Sequence, residues 1–585
     1  MPTYHAPGVY IEEFDSGPVP MSGGATAVPA FIGFTEKLPT ENDKDGAPKD
    51  FKPRLVTSWT QYRSYYGGYA RGDWEKGHRP MLPVAVAGYF DNGGKKAYIV
   101  PIEWETFSGD PEKDQANLSI AALVPPPLTD EQIAELEEAG ETPPEPTPQP
   151  VDDEGNPQPA LKVRTDNRED TISISIEPND EEPEDDTKFG IRVRRNGAEV
   201  LNIPGLRAGE AGQAVRNAVK DAKDLSDEFL IVEDGAGNPT RDHYVLQLPE
   251  PVPADVTDAD IKGRTIEQTG INGLQVFEDV TMIVVPDLYN VARFESIKRA
   301  RRMVDEADEA VKEQAAQDLA DINADWREVH LPTWKAVQTA MITHCEQQTN
   351  CMAILDPPPN KARADLMKSW RMHSAMYDSQ KSALYFPWLQ IADPIGEDNM
   401  FVPPSGHMAG VWARTDATRG VWKAPANEVV QGIVGVQYKM TSAEQEELNP
   451  NGINAIRPFP GRGVRVWGAK TLSSNKLWEY IPVRRLFSYV EKTIEDNTHW
   501  VVFEPNDQVT WDRVTRTVSN FLTGLWRDGA LFGASPAEAF YVKCDAETNP
   551  QDSIDRGQLI CEVGIAPVKP AEFVIFRVTQ KQVTS

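Results

Sequence analysis

The stretch from 123 to 150 sets Pro125, Pro126, Pro127, Pro143, Pro144, Pro146, Pro148 and Pro150 among acidic residues. Proline withholds a backbone donor, and a segment this poor in large apolar side chains cannot bury enough surface to offset the entropy of ordering it. Any fold must therefore be built from the two flanks, with this stretch as a loop inside an insertion. At 585 residues the chain is also too long for one core, so several domains are expected. Its 90 Asp and Glu against 59 Lys and Arg give a net charge of −31. That argues against nucleic acid or direct membrane insertion as a partner. Much of the acid lies in 110–186 and 305–325, as expected of surface insertions.

Around the proline stretch, short apolar runs at 171–176, 188–194, 229–233 and 243–248 read as strands and 211–222 as a helix. Together they define an inserted β-rich surface domain over 103–270, whose loop covers 123–187. Beyond it, the runs 279–286, 351–356 and 383–388 read as buried strands. Between them Trp334, Val337, Met341 and Cys345 share one helical face. Strands alternating with helices predict a largely parallel α/β sheet over 271–400, with a charged helical excursion within 291–330. Residues 27–102 form the first core segment. Over 401–566 the pattern becomes α+β. Pro482 opens a helix carrying Val483, Leu486, Phe487, Val490 and Ile494, and a strand is expected at 499–503. A second helix carries Trp511, Val514, Val518, Phe521, Leu522 and Leu525, and strands follow at 539–543 and 559–565.

The two ends carry lone strand-like runs. Val9, Tyr10 and Ile11 lie in an arm (1–26) whose tether, 17–25, could span about 30 Å. Phe573, Val574, Ile575, Phe576 and Val578 lie in a second arm, 567–585. A lone strand must complete its hydrogen bonds in its own sheet or on another subunit's edge.

Sites for chemistry are scarce. Ser405 and His407 stand close in sequence, but no Ser, His and Asp set can be assembled and no nucleophile elbow is present. Gly461, Gly463 and Gly468 lack the Lys-Ser/Thr of a phosphate loop. Cys345, Cys351, Cys544 and Cys561 do not have zinc-site spacing and read as core thiols. No catalytic residue, metal or cofactor is expected. The first residues do not resemble a secretory signal and no apolar run would span a bilayer, which predicts synthesis in the cytoplasm.

Several ordered blocks resemble the contractile tail sheath family. They are PPSGHMAG with Asp416, RGVWKAPAN, NAIRPFPGRGVRVWGAKTL, VRRLF, FEPN and LWRDGALFG, preceded near the start by YHAPGVYIEE, AVPAFIGFTE, LVTSWTQYRSYYGG and DNGGKKAYIV. The resemblance implies a subtilisin-like middle domain, an assembly domain completed by exchanged terminal strands, and no enzymatic activity. It implies a homo-oligomer of stacked rings around an inner tube protein, with baseplate and terminal cap proteins, contracting from a metastable extended state. Arg484, Arg485, Arg513, Arg516 and Arg527 become candidate tube contacts. The opening MPTYHAPGVYIEE and the LVTSWTQY block resemble the sheaths of contractile injection systems. A phage tail sheath is the alternative, and a hydrolase or a non-assembling binding module are readings of another class.

Overall fold

The computed structural model describes residues 21–39, 50–70, 74–75, 79–103, 116–121, 159–165, 172–178, 187–195, 198–222, 225, 229–235, 238–246, 256–306, 309–396, 398–573 and 575. The chain divides into two compact units, one of 1–104 with 255–585 and one of 105–254.

The larger unit is organised by a sheet of eight strands: β1 (Pro29–Phe34), β2 (Arg54–Val56), β3 (Ala97–Ile102), β4 (Met282–Val284), β5 (Met352–Leu355), β6 (Ser382–Phe386), β7 (Ile453–Phe459) and β8 (Gly463–Trp467). Their order is β8-β7-β6-β5-β4-β1-β3-β2. The run from β7 through β1 to β3 is parallel, and the two outermost pairs are antiparallel. Every residue of β1, β4, β5 and β6 is buried, as a parallel sheet covered on both faces requires. This explains why these segments read as continuous apolar runs rather than alternating ones. Helices Leu82–Asp91, Leu331–Gln347 and Ser405–Arg419 pack around the sheet and bury Tyr89, Trp334 and Trp412.

The PPSGHMAG block opens the last of these helices. A Cβ on Gly406 would lie 2.6 Å from the backbone of Ala85, and one on Gly410 would lie 2.5 Å from the Tyr89 carbonyl oxygen. Two glycines one helical turn apart therefore let this helix meet Leu82–Asp91 backbone to backbone.

The smaller unit is β-rich. Ala116–Ala121, Pro159–Thr165 and Ile231–Asp234 form an antiparallel trio. His243–Val245, Ile172–Pro178, Lys188–Arg195 and Ala198–Arg207 form a four-stranded antiparallel sheet in that order. Ile172, Ile174, Ile176, Phe189, Ile191 and Val193 meet Val215 and Val219 of the helix Ala211–Asp221 in one core. Most of the proline and acid loop lies outside the described residues.

The structure differs from the sequence reading in four places. Residues 256–270 belong with the larger unit. The hairpin β7–β8, assigned above to the α+β region, extends the main sheet because β7 pairs in parallel with β6. The charged excursion is two helices, Leu288–Glu306 and Glu309–Ala324. Residues 499–503, expected as a strand, begin with a 3-10 turn, His499–Val501, and end with Phe503 at φ 69°, and among the described residues no strand pairs with them.

Candidate assembly interface

Two helices form the frame of this region. Ile481–Asn497 and Gln508–Arg527 pack Leu486, Val490, Val514, Val518, Leu522 and Leu525 into one core with Ala530, Leu531 and Ala539. Pro482 sits in the first turn of the former, where its missing N–H costs nothing. Asp507 caps the latter by accepting from the Thr510 amide.

On this frame lies a ribbon of two antiparallel strands, Phe540–Lys543 and Glu562–Ile565, with Phe540 opposite Ile565 and Lys543 opposite Glu562. Phe540, Val542, Val563 and Ile565 pack on the helical core, and Tyr541 faces outward at 59% exposure. A ribbon of four residues per strand is marginal by itself. Its two outer edges have no strand neighbour among the described residues, and just past Ile565 the chain bridges to Leu531 through Pro567.

The expected arms are placed only in part. Val9, Tyr10, Ile11, Val574, Phe576 and Val578 lie outside the described residues. Phe573 and Ile575 are exposed at 78% and 79%. The described end of the tether is tied to its own chain. The Gly24 amide donates to Thr493 Oγ1 at 3.1 Å, and Asn497 Nδ2 donates to the Ser22 carbonyl at 2.9 Å. Residues 22–24 therefore run along the helix Ile481–Asn497 of their own chain.

The five candidate arginines separate into two groups. Arg484 and Arg485 are buried. Arg484 makes two bonds to the Glu491 carboxylate, at 2.8 and 2.9 Å, and lies 4.5 Å over the Trp478 ring. Arg485 grips Asp416 at 2.8 and 2.5 Å, donates to the Thr26 carbonyl at 2.7 Å and stacks 4.7 Å over Trp412. Both are consumed within the chain, which removes them from the tube-contact set. The apolar stripe of this helix suggested one buried face. In the structure its first half is enclosed nearly all round, because the segment after Met21 and the helix Ser405–Arg419 cover the other sides. Arg516 and Arg527 are exposed, and Arg513 is half-buried over Trp500 at 4.5 Å, 3.9 Å from Glu504.

Ser405 and His407 do not meet. The Ser405 hydroxyl donates to Asp356 Oδ2 at 2.5 Å and its amide to Oδ1 at 2.8 Å, whereas the His407 ring packs over Gly88. Burial lowers the His407 imidazole to about 4, keeping it neutral. Sequence reasoning missed the role of Asp356. It lies just past β5 and caps the helix Ser405–Arg419, which has no N-cap side chain of its own. Asp287, just past β4, does the same for Leu82–Asp91, accepting from the Met81 amide at 2.6 Å and the Leu82 amide at 3.1 Å, and also from Phe34 at 2.8 Å. Burial pushes both carboxyls up to about 7 against the pull of these donors. The ends of parallel strands are where open α/β sheets place reactive groups. Here those carboxylates hold the fold's own helix termini.

The four cysteines form two neighbouring pairs. Cys345 and Cys351 bring their sulfurs to 3.4 Å, and Cys544 and Cys561 flank the two-stranded ribbon and share a hydrogen bond. Among the described residues no cluster of His, Cys, Asp and Glu suits a metal ion, and no helix is long and apolar enough to cross a membrane.

Residues 310–472 match the phage tail sheath protein central domain, and residues 473–581 match the phage tail sheath C-terminal domain. The chain is 29% identical over 186 residues to the tail sheath protein of Vibrio phage KVP40, covering 31% of this chain and 27% of that protein. It is 28% identical over 207 residues to the tail sheath protein of Salmonella phage ViI, covering 35% and 32%. The chain thus spans less than a third of the length of either phage relative. Its fold is similar to that of the anti-feeding prophage helical sheath in its contracted state, at TM-score 0.52 and 24% identity, covering 99% of this chain and 100% of that one. It is also similar to the contracted sheath complex of the extracellular contractile injection system PVC, at TM-score 0.51 and 22% identity, with 99% of each chain covered. Residues 310–581 thus carry the two phage tail sheath domains, and the chain along its whole length shares the fold of the sheaths of these two contractile particles.

Proposed function

We propose that this chain is the structural subunit of a contractile sheath in a phage tail-like injection system. Copies stack helically around an inner tube and contract from a metastable extended state, driving the tube through a target envelope. Similarity in fold along the whole chain to sheaths of two such particles supports that choice over a phage tail, since the phage relatives match about a third of it.

The observation that carries the reading is the two-stranded ribbon, whose outer edges have no strand neighbour among the described residues, followed in the chain by exposed Phe573 and Ile575. The 9–11 and 573–578 segments of neighbouring copies are read as strands added to those edges, giving main-chain bonds that survive when subunits rotate. Arg513, Arg516 and Arg527 are read as facing the inner tube. The eight-stranded sheet with its flanking helices is read as the subtilisin-like core. Contraction then changes interfaces rather than folds, and the chain needs no catalysis of its own. Baseplate and cap proteins would close the two ends of the lattice.

Negative-stain electron microscopy of the protein concentrated alone, and again with its tube protein, tests the proposal. Hollow striated tubes wide enough to enclose an inner tube are expected. Dispersed monomers under both conditions would refute it.

A further inference from the structure

After the strand Glu562–Ile565 the chain is first fixed to its own body. The Phe532 amide donates to the Ala566 carbonyl at 2.8 Å, and the Val568 amide donates to Ala530 at 3.2 Å. Residues 568–573 then cross a groove of about 1220 Å³ whose opposite walls include Trp422, Lys423, Arg457, Trp467 and Lys470. A segment laid over that much open volume gains little from packing, so its position depends on what holds its far end.

The far end is held by Glu572. Its Oε2 lies 3.6 Å from Lys470 Nζ and accepts from the Tyr480 hydroxyl at 3.3 Å. This receiver is itself firmly placed. Lys470 and Tyr480 face each other across a backbone bridge, the Lys470 amide donates to Asn454 at 2.7 Å, and Lys470 Nζ also holds Glu479 at 2.8 Å. Burial, followed by the charges of Glu572 and Glu479, pushes the Tyr480 hydroxyl up to about 12, so it remains a proton donor. Immediately past Glu572 come the exposed Phe573 and Ile575, at the two-residue spacing that shares one face whenever a segment pairs as a strand.

We infer that 568–573 is a strap, latched through Glu572 to Lys470 and Tyr480, that keeps the following strand on its own subunit until a neighbour takes it. The inference rests on the proposed donation of 573–578. It adds that donation competes with an internal contact, so the latch raises the concentration at which subunits polymerise. An autonomous barrier of this kind suits a chain whose open ribbon edges would otherwise invite early pairing.

The test is Glu572→Gln in the full-length chain, with Tyr480→Phe as a second variant. Neither should alter the folded core, which circular dichroism and thermal melting check. Two readouts are needed: amide hydrogen exchange across 568–575, and the threshold concentration for tubes by light scattering and electron microscopy. The Glu572–Lys470 pair is long at 3.6 Å, its side chains are 10% and 18% exposed, and Lys470 keeps Glu479 when Glu572 is lost, so the change corresponds to about a two- to fivefold shift in an equilibrium. The expected result is faster exchange with a threshold lowered two- to fivefold in Glu572→Gln and less in Tyr480→Phe. Faster exchange with an unchanged or higher threshold would overturn the latch, because the contact would then serve the lattice or nothing. Removal of 573–585 distinguishes the two ideas: if it abolishes tubes while Glu572→Gln leaves the threshold alone, donation stands and the latch falls.

Discussion

Arg485→Met should be among the most damaging single changes in the assembly region, although it leaves the side-chain volume nearly intact. Arg485 makes two bonds to Asp416, at 2.8 and 2.5 Å, and a third to the Thr26 carbonyl, with the Asp416 side chain only 5% exposed. Removing the guanidinium leaves a carboxylate without its counterion in a site that already disfavours charge, where burial raises the Asp416 pKa and Arg485 is the largest influence opposing it. Breaking one side of such a pair costs about 3–5 kcal/mol, to which the lost stacking on Trp412 adds about 0.5–2 kcal/mol. Replacing both partners removes the stranded charge, so the double change Asp416→Leu with Arg485→Met should recover most of the loss. Urea unfolding of the four proteins of this double-mutant cycle, followed by tryptophan fluorescence, gives the coupling energy. A loss below about 1 kcal/mol for Arg485→Met, or a double variant that loses the sum of the singles, would refute the reasoning. If Arg485 served the tube, its loss would instead spare the monomer and weaken co-assembly.

Deleting 569–585 should leave a folded monomer that forms no tubes in electron micrographs, and tubes of normal length would end the strand-donation proposal. Reversing Arg516 and Arg527 to Glu should weaken salt-sensitive co-sedimentation with the tube protein by about threefold each, as expected for exposed pairs, while Arg484→Gln should leave it unchanged. Gly410→Ala places a methyl against the Tyr89 carbonyl and should lower stability by about 1–3 kcal/mol in urea melts. The folded pKa of Asp356 is raised to about 7, so its favourable contribution is complete below about pH 4 and is lost as the pH rises through 7. Asp356→Asn should therefore flatten the fall in melting temperature over that interval, and an unchanged slope would contradict it.

Period and composition made several elements legible. The continuous apolar runs of β4, β5 and β6 require strands buried on both faces, and the alternation of strand and helix requires a mainly parallel sheet. The stripe from Trp511 to Leu525 requires one long helix lying on a core. The proline and acid stretch had to fall within an inserted unit, and the structure places that unit at 105–254. Each of these is a local property, because periodicity and apolar content act within a few turns or strands.

The sequence could not show which polar groups would meet. The arginines at 484, 485, 513, 516 and 527 look alike in the chain, yet two are enclosed and tied to carboxylates while Arg516 and Arg527 face solvent. The strand expected at 499–503 has no pairing partner among the described residues, and a strand needs a neighbour that its own residues do not specify. Asp287 and Asp356 became long-range helix caps, and Asp416 and Arg485, in two separate sheath-like blocks, became the two ends of one ion pair. The sequence by itself determined the local elements, the class of sheet and the insertion, because those follow from side-chain pattern and backbone chemistry. Only the tertiary structure decided which charges were neutralised, which strand edges stayed open and where the 568–573 strap lies, because these depend on distances between residues far apart in the chain.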